Sequence, residues 1–351
     1  MGKVAAIKLV NFYIVIFSLL IAGTTIVGVL SPFFDPRDYR IIPFIGLVLP
    51  IILTINILSC IYLLVTKRFI VASIIAITFC IGFLGAGYKL PKSSKTIDSA
   101  GKNIRVMTFN ISQNNAGNSN YDDLQAIVEF AKTENVDIFC IQEYPDNNEV
   151  GDSLRKCLSF LPYYTFPENV KGYLKVAIFS RYPIQNIKQM LFKNSYNSAI
   201  TTDLLIENKT IRLICAHLQT TNFNQKRIGS IWNTPSSLYK TISKMNVNQR
   251  IRASQADLIR EEIRLSTTPV IFCGDMNDTP TSYTYKTIKK DLQDGFEECG
   301  NGIGHTYKGL FSVLRIDYIL YSKEISGIKY ESPKKVYSDH NPVIMDLVLN
   351  Y

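Results

Sequence analysis

Acidic residues are nearly missing from the first quarter of this 351-residue chain. Residues 1–91 hold seven Lys/Arg and only two acids, Asp35 and Asp38, while residues 92–351 hold the other 31 basic and 27 acidic side chains. The formal charge of +9 therefore splits into +5 and +4, and it marks no concentrated nucleic-acid-binding patch. Paired cysteines are lacking as well. Cys140, Cys157, Cys215, Cys273 and Cys299 are odd in number and show neither framework nor metal-type spacing, which excludes a disulfide scaffold. Cys140, Cys215 and Cys273 lie in apolar strand-like runs, where a free cysteine acts as a small hydrophobe. Internal repeats and low-complexity tracts are absent, which excludes solenoid and compositionally disordered classes.

In place of acids, the first part carries three apolar stretches at about 9–30, 41–65 and 69–88. Leu9–Leu30 is interrupted only by Asn11 and small hydroxyl residues, Ile41–Val65 by Thr54, Asn56 and Ser59, and Phe69–Tyr88 by no charge at all. Each reaches the roughly 20 residues that span hydrocarbon as a helix. Three in series, without a small-x-small cleavage pattern after the first, predict three transmembrane helices within a membrane region 1–91. A buried helical core is set aside because the runs have no polar face. The layout implies an integral protein of a bacterial-type cytoplasmic membrane. Lys3 and Lys8 before the first stretch favour an inside amino terminus and an extracytoplasmic catalytic domain, although the lysines after the third stretch pull the other way.

Residues 92–102, polar and small, predict a linker, and 103–351 a large soluble domain. In it, strand-like runs such as IRVMTFN, VDIFCIQE and VIFCGD are interleaved with helical patterns. YDDLQAIVEFAKTEN places Leu124, Ile127, Val128 and Ala131 at helical spacing. AITTDLLIENKTIRLICAHLQT reads as two strands joined by a hairpin. The mixture predicts an α/β (α+β) domain with mixed sheets.

Polar residues gather where the apolar runs end: Asn110, Glu143, His217, Asp275 with Asn277, Asp317, and Asp339 with His340. In the run VIFCGDMND, strand alternation would point Asp275 and Asn277 the same way. Singly these are turn formers or caps. Together they are hard oxygen ligands, amides and imidazoles, and such a set suits Mg2+ or Mn2+ rather than zinc. A cation of that kind stabilises phosphate charge, an acid deprotonates water, and an Asp–His pair holds an imidazole near phosphate.

MTFN, IQE, AIFSRYPI, AHLQT, GDMND, RIDYIL and SDHNPV follow one another in the order found in the endonuclease/exonuclease/phosphatase superfamily, which the chain resembles over about 104–349. That family takes in deoxyribonucleases, abasic-site endonucleases, inositol polyphosphate 5-phosphatases and neutral sphingomyelinases. The resemblance implies a four-layer sandwich, two packed mixed β-sheets flanked by helices. It also implies a metal-binding Glu143 supported by Asn110 and Asp339, and a phosphate-contacting His217. Asp275 matches the acid that handles the attacking water, Asn277 its phosphate-orienting companion, and Asp317 the acid that orients His340. Degenerate relatives lose the metal glutamate or an acid–histidine pair. All of these positions are filled here, which disfavours a non-catalytic membrane binding module.

The resemblance implies a phosphoester substrate. Thr221–Arg252, with six Lys/Arg, no acid and the single tryptophan, reads as a basic aromatic loop beside His217, and Lys226, Arg227 and Trp232 are its candidate substrate contacts. Such a loop suits an anionic headgroup at the membrane bilayer, and it also suits nucleic acid. The membrane stretches favour a lipid-linked ester, with DNA or RNA as the second reading. Oligomeric state is not readable.

Overall fold

The computed structural model describes residues 2–90, 101–111, 121–145, 148–167, 172–221, 234–309, 312–335 and 337–350. The chain forms two compact units: Met1–Tyr88 with Thr279–Lys286, and Lys89–Asp278 with Thr287–Tyr351. The expected linker falls outside the described residues except for its last two positions.

The first unit holds α1 (Lys3–Leu30), α2 (Ile42–Leu47), α3 (Leu49–Val65) and α4 (Phe69–Gly85). Among the described residues only α1, at 28 residues, is long and apolar enough to cross a membrane by length and composition. Three full-length spans were expected, and two of them fall short. The 41–65 stretch is broken at Val48, because Pro50 has no N–H to give an earlier turn and fits only in the first turn of a new helix. α3 and α4 are 17 residues each. At 1.5 Å per residue each is roughly 26 Å long, about a turn less than a ~30 Å hydrocarbon core. Polar groups face inward in this unit: Thr25 and Asn56 are fully buried and share a 2.7 Å hydrogen bond, and the Tyr62 hydroxyl donates to Asn11 Oδ1 at 2.6 Å. Large apolar side chains such as Phe17, Leu20, Leu58, Ile61, Ile70 and Leu84 are exposed instead. The Ser31 hydroxyl donates to the Thr281 carbonyl at 2.5 Å, and the Thr281 hydroxyl to the Gly46 carbonyl at 2.9 Å, which seats the 279–286 segment in the unit.

The second unit is built on twelve strands. β1 (Lys102–Asn110), β2 (Ile138–Tyr144), β3 (Tyr163–Thr165), β4 (Lys175–Ser180), β11 (Ile325–Glu331) and β12 (Val343–Leu349) form one sheet in the order β11-β12-β1-β2-β4-β3. β5 (Ile184–Leu191), β6 (Ser198–Ile206), β7 (Lys209–His217), β8 (Val270–Asp275), β9 (Gln293–Asp294) and β10 (Asp317–Tyr321) form the other, ordered β5-β6-β7-β8-β10-β9. Each sheet is mixed: β1–β2 and β7–β8 are parallel, and the other pairs are antiparallel. The unit's helices are α5 (Tyr121–Thr133), α6 (Asn148–Cys157), α7 (Pro235–Arg264) and α9 (Gly295–Cys299), while α8 (Tyr283–Lys289) begins in the 279–286 segment of the first unit. The expected hairpin is present, with β6 and β7 turning through Glu207 at φ 55°. The apolar positions of α5 are buried against Phe139, Ile141 and Phe179 on the outer face of the first sheet. This is the expected pair of packed mixed sheets flanked by helices.

The core between the sheets is layered. Deep in it lie Val106, Ile138, Leu213, Ile271 and Met345. One step nearer the strand ends come Thr108, Cys140, Cys215 and Cys273, with Thr108 paired to Cys140 and Cys215 to Cys273 across neighbouring strands. The next step on the same faces reaches Asn110, Gln142, His217 and Asp275. The Gln142 amide joins the two polar levels, donating to Thr108 Oγ1 at 3.0 Å and to Cys215 Sγ at 3.5 Å. The pattern places polar chemistry at one end of an otherwise apolar sandwich.

The glycine beside Asp275 has a steric cause. Gly274 has φ +150°, and a Cβ there would meet the Ala216 carbonyl oxygen of β7 at 2.0 Å. Gly274→Ala is expected to lower the unfolding free energy by at least ~2 kcal/mol, read by denaturant titration, because both the backbone conformation and the strand spacing resist it.

Candidate active site

Two buried carboxylates open the site. Asp275 ends β8 and Asp317 begins β10, and the antiparallel register sets them directly opposite. Asp317 Oδ2 lies 2.9 Å from His340 Nδ1, and His340 Nε2 lies 3.9 Å from Asp275. Burial opposes charge on His340, but Asp317 first, then Asp275 and Asp339, outweigh it and raise the imidazole to about 10. His340 is therefore an imidazolium at neutral pH. Burial, and then the Asp317 charge, raise Asp275 above the usual carboxylate range, against the opposing pull of His340, the Asn110 amide and the Asn277 N–H. His217, fully buried at the end of β7, is held down to about 3 by burial and by the charge of His340. Its Nε2 sits 3.4 Å from the Thr220 hydroxyl and 3.6 Å from Asp275, and its Nδ1 has no partner among the described residues. The two imidazoles thus carry different charges within one site.

Asp275 is held by three N–H groups. The Asn277 backbone donates to Oδ1 at 2.7 Å, and Oδ2 accepts from the amides of Asn110 at 3.0 Å and Asn277 at 3.1 Å. Strand alternation is not what brings Asn277 there. β8 stops at Asp275, and Asn277 turns back through φ +51°, its amide also reaching the Leu218 carbonyl at 3.0 Å.

Glu143 arrives by a different irregularity. Alternation would aim it with Phe139 and Ile141 toward the outer face. The β2–β4 register slips between Gln142 and Tyr144, and Glu143 adopts φ +57°. This bulge turns its carboxylate to 3.5 Å from the Asn110 amide. Asp339 lies at the rim, one-third exposed, with its carboxylate 3.9 Å from His340 Nε2.

The expected positions Asn110, Glu143, His217, Asp275, Asn277, Asp317 and His340 therefore converge. Lys226, Arg227 and Trp232 lie outside the described residues. The basic stretch is not a loop throughout: from Pro235 it is helix α7, capped by Thr234, and Arg252 is buried. Some contributors were not foreseen. The Ser338 hydroxyl donates to the Asn110 carbonyl at 2.7 Å and accepts the His340 N–H at 3.0 Å, which ties the loop bearing His340 to β1. The Thr306 hydroxyl accepts the N–H groups of Ile316 and Asp317 at 3.0 and 3.1 Å. The serine before Asp339 was visible in SDHNPV, whereas Thr306 had no signal. Asp278, next after Asn277, pairs with Arg252 at 3.4 Å.

The donor set fits a hard divalent cation. Asp275 and Asp317 cluster with His340, their ligand-type atoms within 4.8 Å of one another, and with His340 charged the carboxylates are the donors; Glu143 adds a third buried carboxylate, and Asp317 Oδ1 has no partner among the described residues. Three buried acids against one imidazolium leave negative charge for a cation to neutralise, and no thiolate competes. Within this set Asp317 is committed to His340 and Asp275 to three N–H donors. Glu143 lies beside Asn110.

The family model for the Endonuclease/Exonuclease/phosphatase family matches residues 107–340. The chain belongs to this family. A second model, for a domain of unknown function (DUF8431), matches residues 10–87. No curated protein sequence matches. Among solved structures, the human Nocturnin catalytic domain with bound sulfate has a TM-score of 0.54 at 19% identity, over 71% of this chain and 95% of that one. Truncated Caenorhabditis elegans TDP2 scores 0.52 at 20% identity, over 70% and 97%. A Bacteroides thetaiotaomicron mannosyl-6-phosphatase scores 0.51 at 16%, over 70% and 99%. At these identities the likeness is one of fold. Membership of the endonuclease/exonuclease/phosphatase family makes the chain a metal-dependent phosphoester hydrolase.

The 2.9 Å contact makes Asp317 and His340 one device. Asp317→Asn and His340→Gln should each lower kcat by about 10²–10⁴-fold, and the double variant should be little worse than either. A cycle with full additivity would break the pairing.

Proposed function

We propose that the protein is a membrane-anchored phosphoesterase dependent on Mg2+ or Mn2+, acting on a lipid-linked phosphoester. The observation that carries the reaction is the meeting of Asn110, Glu143, His217, Asp275, Asn277, Asp317 and His340 at one end of the sandwich. Glu143, supported by Asn110 and with Asp339 at the rim, would hold the cation. A divalent ion there supplies charge neutralisation for the phosphate and its leaving oxygen. Asp275, held by Asn110 and Asn277 and with its proton affinity raised, takes the proton of the attacking water. His340, kept charged by Asp317, offers N–H and positive charge to a phosphate oxygen. Neutral His217 offers a second hydrogen bond that adds no charge. Asn277, with its N–H and amide turned to Asp275 and the Leu218 carbonyl, steadies Asp275 and has no donor left for the phosphate.

The observation that carries the membrane reading is the polarity of the first unit. Its helices bury Thr25 and Asn56 and expose Phe17, Leu20, Leu58 and Ile70, the reverse of a water-soluble bundle. Small residues let the helices approach: a Cβ on Gly82 would lie 2.6 Å from Leu53 and 2.7 Å from Thr25. The hydrogen bonds from α3 to Thr25 and Asn11 give α1 a place in a bundle, which favours a retained anchor over a removed signal sequence. An odd number of crossings with the amino terminus inside would put the catalytic domain outside the cytoplasmic membrane. Anchoring would raise the effective concentration of the catalytic domain for a bilayer-borne substrate.

The full chain in detergent or vesicles tests the reading. Turnover of a lipid phosphate that stops on chelation and returns with Mg2+ or Mn2+ is expected. Cleavage of single-stranded DNA without lipid phosphate release would transfer the assignment to a nuclease, for which the Thr221–Arg252 charge excess is the motive. Protease access to the domain on intact cells checks the side, and a shielded domain would overturn it. Two substitutions separate the roles. Glu143→Gln should raise the metal concentration for half-maximal activity about tenfold or more. Asp275→Asn should leave that concentration unchanged while lowering kcat about 10³-fold.

A further inference from the structure

We propose that Arg252 is a positioning residue, a buried guanidinium on α7 that fixes relative to one another the two loops that follow His217 and Asp275 at the ends of β7 and β8. The 30-residue α7 turns a buried row inward, but the row is not uniformly apolar. Ala253, Ala256 and Ile259 are fully buried, and so, to within 5% exposure, are Asn248, Arg252 and Gln255. The last three are spaced four and three apart, one polar stripe on one helix face. A stripe needed only for packing would be aliphatic, since a buried guanidinium is costly unless its donors are matched.

Nη1 and Nη2 of the guanidinium each find a hydrogen-bond acceptor, Nε has only the Asp278 charge beside it, and each of these partners lies in a loop of the site. Toward the β7 end, Arg252 Nη2 donates to Thr221 Oγ1 at 2.9 Å, Gln255 Oε1 accepts the Gln219 N–H at 2.7 Å, and Asn248 Oδ1 accepts from the Gln219 amide at 3.3 Å. Toward the β8 end, Arg252 Nη1 donates to the Asn277 carbonyl and Nε lies 3.4 Å from Asp278 Oδ2. Asn277 holds a left-handed φ of +51°, a conformation that persists when its surroundings over-determine it. Its N–H and amide are spent on Asp275 and Leu218, and Arg252 secures the remaining polar group, its carbonyl. One planar fork therefore spans from Thr221 to Asn277. Lysine, a point charge with no fork, cannot hold both ends at once.

The inference rests on the hydrolase reading, and its test is arranged to fail separately from it. Arg252→Lys and Asp278→Asn are made in the full chain and assayed on the substrate that wild type turns over, alongside hydrogen exchange in the same metal buffer. Arg252→Lys should lower kcat about 100-fold with KM and metal dependence nearly unchanged, the loss expected for ångström-scale misplacement of reacting groups. Exchange should quicken at 217–221 and 275–278 and not along α7. Asp278→Asn, which keeps the guanidinium and its two other partners, should lower kcat by less. A normal kcat per folded molecule, with either unchanged exchange or faster exchange along all of α7, would make Arg252 a packing residue and overturn the proposal. Wild type inert on every phosphoester would instead sink the hydrolase reading, while the exchange pattern would still decide whether Arg252 holds both loops.

Discussion

The site depends on one electrostatic constraint: Asp275 and Asp317 face each other across paired strands, away from water, with a single imidazolium between them. Repulsion between two carboxylates at such a separation is severe in a low-dielectric interior. It is relieved by the His340 charge, by the N–H groups trained on Asp275, and by the proton that Asp275 readily accepts. Much of the surrounding structure serves this relief. Ser338 places His340, Thr306 fixes the backbone of Asp317, and Asn277 adopts a strained turn to give Asp275 two donors. A cation beside Glu143 would complete the neutralisation, which is a structural reason for metal dependence apart from any role in the reaction.

The sandwich makes that concentration of charge tolerable by grading its interior. Aliphatic side chains lie deepest, thiols and a hydroxyl come next, and acids, amides and imidazoles end the strands. The Gln142 amide bridges the last two levels, so no strand passes abruptly from hydrocarbon to carboxylate. Parallel pairing of β1 with β2 and of β7 with β8 brings strand ends of the same sense together. Four polar termini thus meet without any loop having to reach far.

The sequence disclosed the family, the mixed sheets and the converging positions, because each strand announces itself as an apolar run with a polar terminus. It disclosed less well how two of those positions get there. Alternation suggested that Asn277 follows Asp275 on the same face, yet a left-handed turn brings it back. The same rule would have sent Glu143 away from the site, and a bulge overrides it. Arg252 was legible only as part of a charge excess, since nothing in a linear pattern separates a buried guanidinium from a solvated one. In the first unit hydropathy overestimated helix length, because Pro50 restarts a helix within the second apolar stretch.

The three thiols beneath the site have a bearing on where the protein can live. Cys140, Cys215 and Cys273 are wholly buried, and burial raises the first two well above the ordinary thiol range. Disulfide exchange proceeds through thiolate and needs access to a partner sulfur, so the folded sandwich denies both to oxidants. An oxidising compartment would threaten these cysteines only before the sheets close. For these three thiols, an oxidising compartment would be a matter of timing, a race between folding and oxidation.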